Sequence, residues 1–452
     1  MKMYETPQEL SKYLNVRLEC SCGRVHYVPI KGVEIGSGAI KKLPYHVKEL
    51  GYKHPMILCD AITRTIAGDK SRELLTEDGI DADIHELRHL GFDEATLGEI
   101  VINKSEDCDL IIGVGTGSIT DMTRYSSFKL GLPCFTVATG APMDGFAASI
   151  GIMNINGLKA TMPAHCTEVI LGDTDILKTA PYRMTVAGFG DLIGKVTCLN
   201  DWELARIITG EHYCKNIVTL VKSCVADVMR HAPKIRERDP ETLGIVMNGL
   251  VLSGAAISLY GDSRPASGAE HHMSHYWETI LEQRGVKPAM HGEQVAVGTV
   301  LVLMLAEELL KADIDFDFAR ESARRYDRSA WEQEIRAHYG PAAGSVFEIE
   351  AKADKNGTAG RLKRIDSMEK NMPAIRAQLE TLPKAKELRD LLKSIGCPCT
   401  PRDINVDDEL LLDTLRYCKE IRPRYTIFQT VYDLGLTDKL AKKIIKRANT
   451  EV

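Results

Sequence analysis

The pattern of apolar and polar positions changes character near residue 177. Before it, short β-branched or apolar runs alternate with segments of helical period. "HPMILCD" (54–60), "ADIHEL" (82–87), "DLIIGVG" (109–115) and "PCFTVAT" (133–139) read as strands, and stretches such as 93–104 as the helices between them. Such alternation builds a parallel sheet with crossover connections. Beyond "DTDILKTAPYR" (173–183) the segments are long and of helical period, the first carrying "GFGDLIGKVTCLNDWELARIITG". The expected fold is an N-terminal Rossmann-like α/β domain with a parallel sheet (1–177), followed by an all-α helical domain (178–452) with a C-terminal helical extension. The charged stretch 348–366 is expected to fray or form an exposed loop, and 402–450 to form a terminal helical appendage.

Two apolar runs, 243–260 and 295–310, come nearest to membrane spans. The first is interrupted by Asn248, Ser253 and Ser258, and the second reaches Glu307 and Glu308 too early. Both read as buried helices of a bundle. The 452 residues exceed what one core usually organises, and 44% hydrophobic with 27% charged residues is an ordinary globular composition. A net charge of −6 argues against a nucleic-acid binder. "MKMYETPQELSKYLNV" lacks the basic start and apolar run of a secretory signal, so a cytoplasmic protein is expected. Twelve cysteines with no CxxC pair fit reduced thiols. Cys20, Cys22 and His26 are spaced closely enough for zinc, but "CPC" at 397–399 is a distant second pair, so a structural role is the expectation there.

Chemistry first enters at "DLIIGVGTGSITDMTRYSS" (109–127), a strand, a glycine turn and a helix starting near Ser118. Gly113, Gly115 and Gly117, with Thr116 and Ser118, let backbone N–H groups approach a diphosphate at a helix N-terminus. The spacing is GxGxG and no GK[ST] follows, so neither the usual dinucleotide fingerprint nor a P-loop is present. "VATGAPMDGFAASIG" (137–151) follows the next strand and adds Thr139, Gly140, Ala141 and Pro142 at another carboxyl end. Asp60 ends the strand "MILCD", where it can accept a ribose hydroxyl or cap a helix.

"SGAEHHMSHYWETILEQRGVKPAMHGEQVAVG" (267–298) holds four histidines. His271/His275 and His272/His275 are each spaced to share a helix face, and spacing does not choose between them. His291 begins a further helical segment. A catalytic divalent-metal site wants three N or O donors and an open position. Asp191, in the apolar, glycine-flanked "VAGFGDLIGK", is a suitable carboxylate, costly to bury without a cation.

With these motifs in hand the chain resembles the sn-glycerol-1-phosphate dehydrogenases, above all their bacterial AraM-like branch. That group lies in the superfamily of iron-type alcohol dehydrogenases, glycerol dehydrogenase and dehydroquinate synthase. The resemblance runs from about residue 20 to 300 and is carried by "GDSRPASGAEHHMSH", "MDGFAAS", "GFGDLIGK" and "HGEQVAVGT". It implies that Asp191, His271 and His291 hold one divalent metal (zinc, nickel or iron), leaving His272 and His275 as neighbours, His275 as a proton relay. It implies NAD(P)H binding by Asp60, the loop Gly113–Gly117 with Ser118, and Thr139–Pro142, and substrate contact through Asp144. A serine common in the family four residues after that aspartate is here Ala148, with Ser149 next.

The activity implied is metal-dependent reduction of dihydroxyacetone phosphate to sn-glycerol 1-phosphate, reversibly, in phospholipid biosynthesis, by a homodimer or larger assembly. Arg264 and Lys159 are the candidate cations for the substrate phosphate. The competing readings are a dehydrogenase of unphosphorylated polyols, a dehydroquinate-synthase-like cyclase and a non-catalytic sensor. No role maps onto residues after about 380.

Overall fold

The computed structural model describes residues 14–155 and 158–450; at 152 and 154–161 no side chain is described. By contact the chain forms two compact units, one of residues 1–192 and 215–263, the other of 193–214 and 264–452. The sequence reading placed a single boundary at 177/178.

In the first unit β1 (Leu18–Glu19) and β2 (Val25–His26) form a short antiparallel pair. The main strands are β3 (Gly32–Gly36), β4 (Pro55–Cys59), β5 (Asp83–Glu86), β6 (Leu110–Gly115) and β7 (Cys134–Ala138). A hairpin of β8 (Ile150–Ile155) and β9 (Leu158–Pro163) precedes β10 (Val169–Asp173). Six strands make one parallel sheet in the order β3-β10-β7-β6-β4-β5. β4, β6, β7 and β10 are buried along their whole length. Both faces of such strands are covered by crossover helices, which explains their near-continuous apolar sequences. One face packs Ile57, Ile112, Phe135 and Leu171, and the other Met56, Leu58, Ile111 and Met122.

The helices of this unit are α1 (Leu43–Glu49), α2 (Ala61–Thr63), α3 (Asp69–Glu77), α4 (Glu94–Asn103), α5 (Ser118–Leu130) and α6 (Thr174–Leu177). α7 (Tyr182–Thr209) is long and divided between the units; α8 (Lys215–His231) and α9 (Pro240–Tyr260) follow. α8 and α9 group with the sheet because α9 passes close to the loop after β7. A Cβ at Gly254 would lie 2.4 Å from the Asp144 carbonyl oxygen. All four strands expected from the sequence are present; β3 and β10 were not foreseen. β3 has Glu34 between its two apolar residues, Val33 and Ile35, and a glycine at each end, so it has no apolar run to announce it.

The second unit is helical: α10 (Ala269–Gln283), α11 (His291–Leu310), α12 (Phe316–Arg324), α13 (Arg328–Tyr339) and α14 (Ala343–Ala353). They continue as α15 (Thr358–Glu380), α16 (Ala385–Ser394), α17 (Asp408–Tyr417), α18 (Ile427–Asp433) and α19 (Thr437–Thr450). Among the described residues α9 is the one helix long and apolar enough to cross a membrane, and 78% of its most apolar window is buried.

Two expectations are corrected here. The stretch 348–366 does not fray: it is the end of α14, a turn and the start of α15, with Glu350, Lys355, Asn356 and Arg361 buried while Glu348, Lys352, Asp354, Lys363 and Asp366 stay exposed. Glu420, 2% exposed, accepts from Asn356 Nδ2 at 3.0 Å and Trp331 Nε1 at 3.2 Å, and pairs with Lys355 at 3.4 Å and with Lys419. The buried charges of this turn are neutralised by partners from the chain around Glu420. Nor is 402–450 an appendage. Asp433 on α18 binds Arg364 of α15 at 2.6 Å, and Thr414 on α17 accepts from Trp277 Nε1 at 2.8 Å. Arg447 on α19 reaches Glu307 at 2.7 Å. These helices are part of the core of their unit.

Burial pushes Glu420 up, but Lys419 and Lys355 outweigh it and hold the carboxyl at about 2. A carboxyl depressed below its unfolded value contributes stability above about pH 4.3 that fades as pH falls toward 2. Glu420→Ala strands two buried ammonium groups and should cost about 3–5 kcal/mol, read as a lowered urea midpoint at neutral pH. The gap between wild type and variant should narrow on acidification.

Candidate active site

Three neighbouring strands, β4, β6 and β7, end at one edge of the sheet, and the predicted nucleotide residues follow each of them. After β4, Asp60 caps α2: its Oδ1 accepts from the N–H groups of Ile62 at 2.9 Å and Thr63 at 2.7 Å. The capping role weighed for it is therefore real; Oδ2 takes part in neither bond. After β6 the chain turns through Gly117, whose φ of +51° suits glycine, into α5 at Ser118. The other glycines serve closeness: a Cβ at Gly113 would meet Thr123 Oγ1 at 2.3 Å, and one at Gly115 would meet Ile119 Cβ at 2.6 Å. α5 can thus lie tight on β6 with its N-terminus at the sheet edge. The hydroxyl of Thr116 is buried there with no hydrogen-bond partner among the described residues. An open glycine turn, a helix N-terminus and an unmet buried hydroxyl fit a diphosphate.

After β7, the Thr139 N–H donates to the Gly115 carbonyl at 3.2 Å, joining the two loops. α7 crosses this second loop so closely that a Cβ at Gly188 would stand 1.9 Å from the Ala141 oxygen. Pro142 leads on to Asp144, whose N–H donates to Asp191 Oδ2 at 2.9 Å and whose Oδ2 accepts from Ser253 at 2.7 Å. Asp191, on α7, is fully buried. The Ala148 carbonyl, at the position of the missing serine, accepts from the Arg124 guanidinium.

In the second unit, His271 and His291 face each other from α10 and α11, ring centroids 5.1 Å apart. His271 Nδ1 bonds the fully buried Glu270 at 2.8 Å, and Glu270 also accepts from Thr197 at 2.7 Å. Burial raises the Glu270 carboxyl, but these bonds bring it below its usual range. An ionised Glu270 keeps the proton on Nδ1 and turns the Nε2 lone pair outward, the arrangement a metal-binding imidazole needs. His275 stacks on His291 at 5.4 Å and bonds Glu278 at 3.2 Å. His275, Glu278 and His291 each bring a ligand atom within 4.8 Å of the others. Burial depresses His275 to about 4 despite Glu278, so the ring is neutral at physiological pH. Burial raises Glu278, yet the two histidines hold it well below the carboxylate range. His272, by contrast, is fully buried with neither ring nitrogen bonded among the described residues.

Arg264 is not placed for a substrate phosphate. It is 2% exposed; its Nε and Nη2 bind Glu211 at 2.8 and 3.1 Å, and its Nη1 binds the Tyr425 carbonyl at 2.9 Å. A guanidinium so engaged braces the helical unit. Lys159 lies on β9, and its side chain is outside the described residues. Sequence reasoning missed Glu270, Glu278, Thr197 and Ser253. The only signal for Glu270 was its place directly before His271, and nothing local marked the others.

Residues 34–181 match the family described as iron-containing alcohol dehydrogenase. The chain is 29% identical over 424 residues to the glycerol-1-phosphate dehydrogenase (NAD(P)+) of Halalkalibacterium halodurans, spanning 92% of this chain and 96% of that one. With the enzyme of the same name from Bacillus velezensis it is 30% identical over 404 residues, 88% of this chain and 90% of that one. The solved glycerol dehydrogenase of Schizosaccharomyces pombe shares the fold at a TM-score of 0.62 and 18% identity, over 93% of this chain and 92% of that one.

Because α7 meets the Ala141 backbone, which has no rotamer to yield, Gly188→Ala should cost about 3 kcal/mol. Thermal melting should record the loss, and titration with NADH should show weakened binding from the displaced loop.

Proposed function

The chain belongs to the glycerol-1-phosphate dehydrogenase family, and from that premise we propose a metal-dependent NAD(P)H enzyme that reduces dihydroxyacetone phosphate to sn-glycerol 1-phosphate, reversibly. The observation that carries this reading is the pairing of His271 with buried Glu270, which prepares that imidazole for a cation with a second imidazole, His291, beside it. Asp191 is the third donor in this reading. It stands three residues before Gly194 on α7, and a Cβ at Gly194 would lie 3.7 Å from His271 Cε1. When bound, a divalent ion would polarise the ketone oxygen as a Lewis acid and the nicotinamide would supply the hydride.

The remaining work falls to this chain's own side chains. Asp144, oriented by Ser253, holds a substrate hydroxyl. His275, neutral with its Nδ1–H held by Glu278, offers the lone pair of its other ring nitrogen: it takes the substrate hydroxyl proton in the oxidising direction, and in reduction it first takes a proton from solvent and then gives it to the new hydroxyl. Asp60 accepts a ribose hydroxyl through Oδ2, and its charge disfavours a 2′-phosphate, which favours NADH. With Arg264 engaged elsewhere, Lys159 is the cation for the substrate phosphate. The enzyme works in the cytoplasm as a homodimer or larger assembly, a compartment consistent with the absence of disulfides among the described residues.

The test is NADH oxidation by chelator-stripped protein, with dihydroxyacetone phosphate and dihydroxyacetone compared after adding zinc, nickel, iron or nothing. Metal-dependent turnover of the phosphorylated ketone alone is expected. Equal turnover of both ketones would replace this reading with the polyol dehydrogenase, and no turnover with any metal despite bound NADH would overturn it. Glu270→Gln should weaken metal retention about 10–100-fold in equilibrium dialysis. Lys159→Ala should raise KM for the phosphorylated ketone more than it lowers kcat, the sign of a lost binding contact.

A further inference from the structure

The chemistry above makes no use of Cys20, Cys22 and His26. The three are brought together by the turn between β1 and β2, where Gly23 at φ +85° folds the chain back and its N–H donates to the Cys20 carbonyl at 3.0 Å. One ligand atom of each lies within 4.8 Å of the others. His26 is 4% exposed, and its Nδ1 meets the Leu259 carbonyl of α9 at 2.7 Å. A carbonyl only accepts, so the proton sits on Nδ1 and the Nε2 lone pair faces Cys22 Sγ, 3.2 Å away. The neutral tautomer with its second nitrogen fixed by a backbone oxygen is the one zinc-binding histidines adopt.

The fourth donor comes from the far side of the sequence. Asn216, in the first turn of α8, donates from Nδ2 to Cys20 Sγ at 3.2 Å, a bond that favours the thiolate. Two residues before it stands Cys214, completely buried. Cys214 is joined directly to Lys215, the first residue of α8, which lies in the same compact unit as Cys20, Cys22 and His26.

We propose that Cys20, Cys22, His26 and Cys214 bind one Zn²⁺ in a closed Cys₃His site. Zinc bonds of about 2.3 Å to sulfur and about 2.0 Å to nitrogen set tetrahedral donors about 3.6 Å apart, a span these residues already approach. Four protein donors leave no position for substrate, so the role is structural. The ion ties the β1–β2 turn to the start of α8, and through His26 to the end of α9, where a two-residue strand pair has little core of its own.

The test loads the full chain with Co²⁺ in place of Zn²⁺ and records its absorption. Wild type and Asp191→Asn should both show an intense near-ultraviolet thiolate-to-cobalt charge-transfer band, and the Cys20→Ser/Cys22→Ser double variant should lose it. Zinc content should fall by one equivalent per chain in the double variant and in His26→Gln, and chelation should lower the melting temperature of the wild type. A folded, cobalt-treated wild type without the band overturns the proposal even if no variant folds. A band that survives the double variant overturns it too, since the thiolates would then lie elsewhere.

Discussion

Everything at the sheet edge depends on one buried carboxylate. Asp191 sits on α7 with no exposed surface, and leaving such a group uncompensated would cost several kcal/mol. Part of the compensation is the Asp144 N–H, 2.9 Å from Oδ2, which fixes the loop after β7 against the helix. That bond is reachable only because Gly188 lets α7 lie on the Ala141 backbone and Gly254 lets α9 approach the Asp144 carbonyl. Two absent methyl groups thus place Asp144. The same approach sets the second glycine loop beside the first, since Thr139 is bonded to Gly115.

The helical unit solves a related problem by pairing its buried charges. Glu270 is satisfied by Thr197 and His271, Glu278 by His275 and His291, and Glu420 by two lysines and an asparagine. Each carboxylate stays ionised although burial works against it. The consequence for chemistry is control of tautomers: an ionised acceptor on Nδ1 decides which nitrogen of each histidine is left to act. The consequence for stability is that few of these partners are replaceable singly, because removing one strands the other in a low dielectric.

The sheet shows why the residues proposed for the nucleotide, scattered over some eighty positions of sequence, belong together. β4, β6 and β7 are consecutive in the sheet, so Asp60, the Gly113–Gly117 turn and Thr139–Pro142 follow adjacent strand ends. Open parallel sheets bind ligands beyond their carboxyl ends because helix N-termini and loop N–H groups converge there. Asp60 shows that two roles need not compete: one oxygen caps its helix while the other takes no part in the cap.

Local pattern was enough to find the strands at 54–60, 82–87, 109–115 and 133–139, the helical second half, the glycine turn and the resemblance carried by short motifs. These signals survive in sequence because strand, helix and turn preferences act between near neighbours. Strand β3 was silent because it has no apolar run, and 348–366 misled because a buried ion network and a solvated face have the same composition. Arg264 could be recognised as a cation but not as one already bound to Glu211, 53 positions away. Separations of 109 and 233 positions hid Ser253 from Asp144 and Leu259 from His26. Sequence by itself determined which groups were available and which elements carried them. Only the tertiary structure decided which were occupied, ionised or turned outward, because those properties depend on partners that the fold brings close from remote parts of the chain.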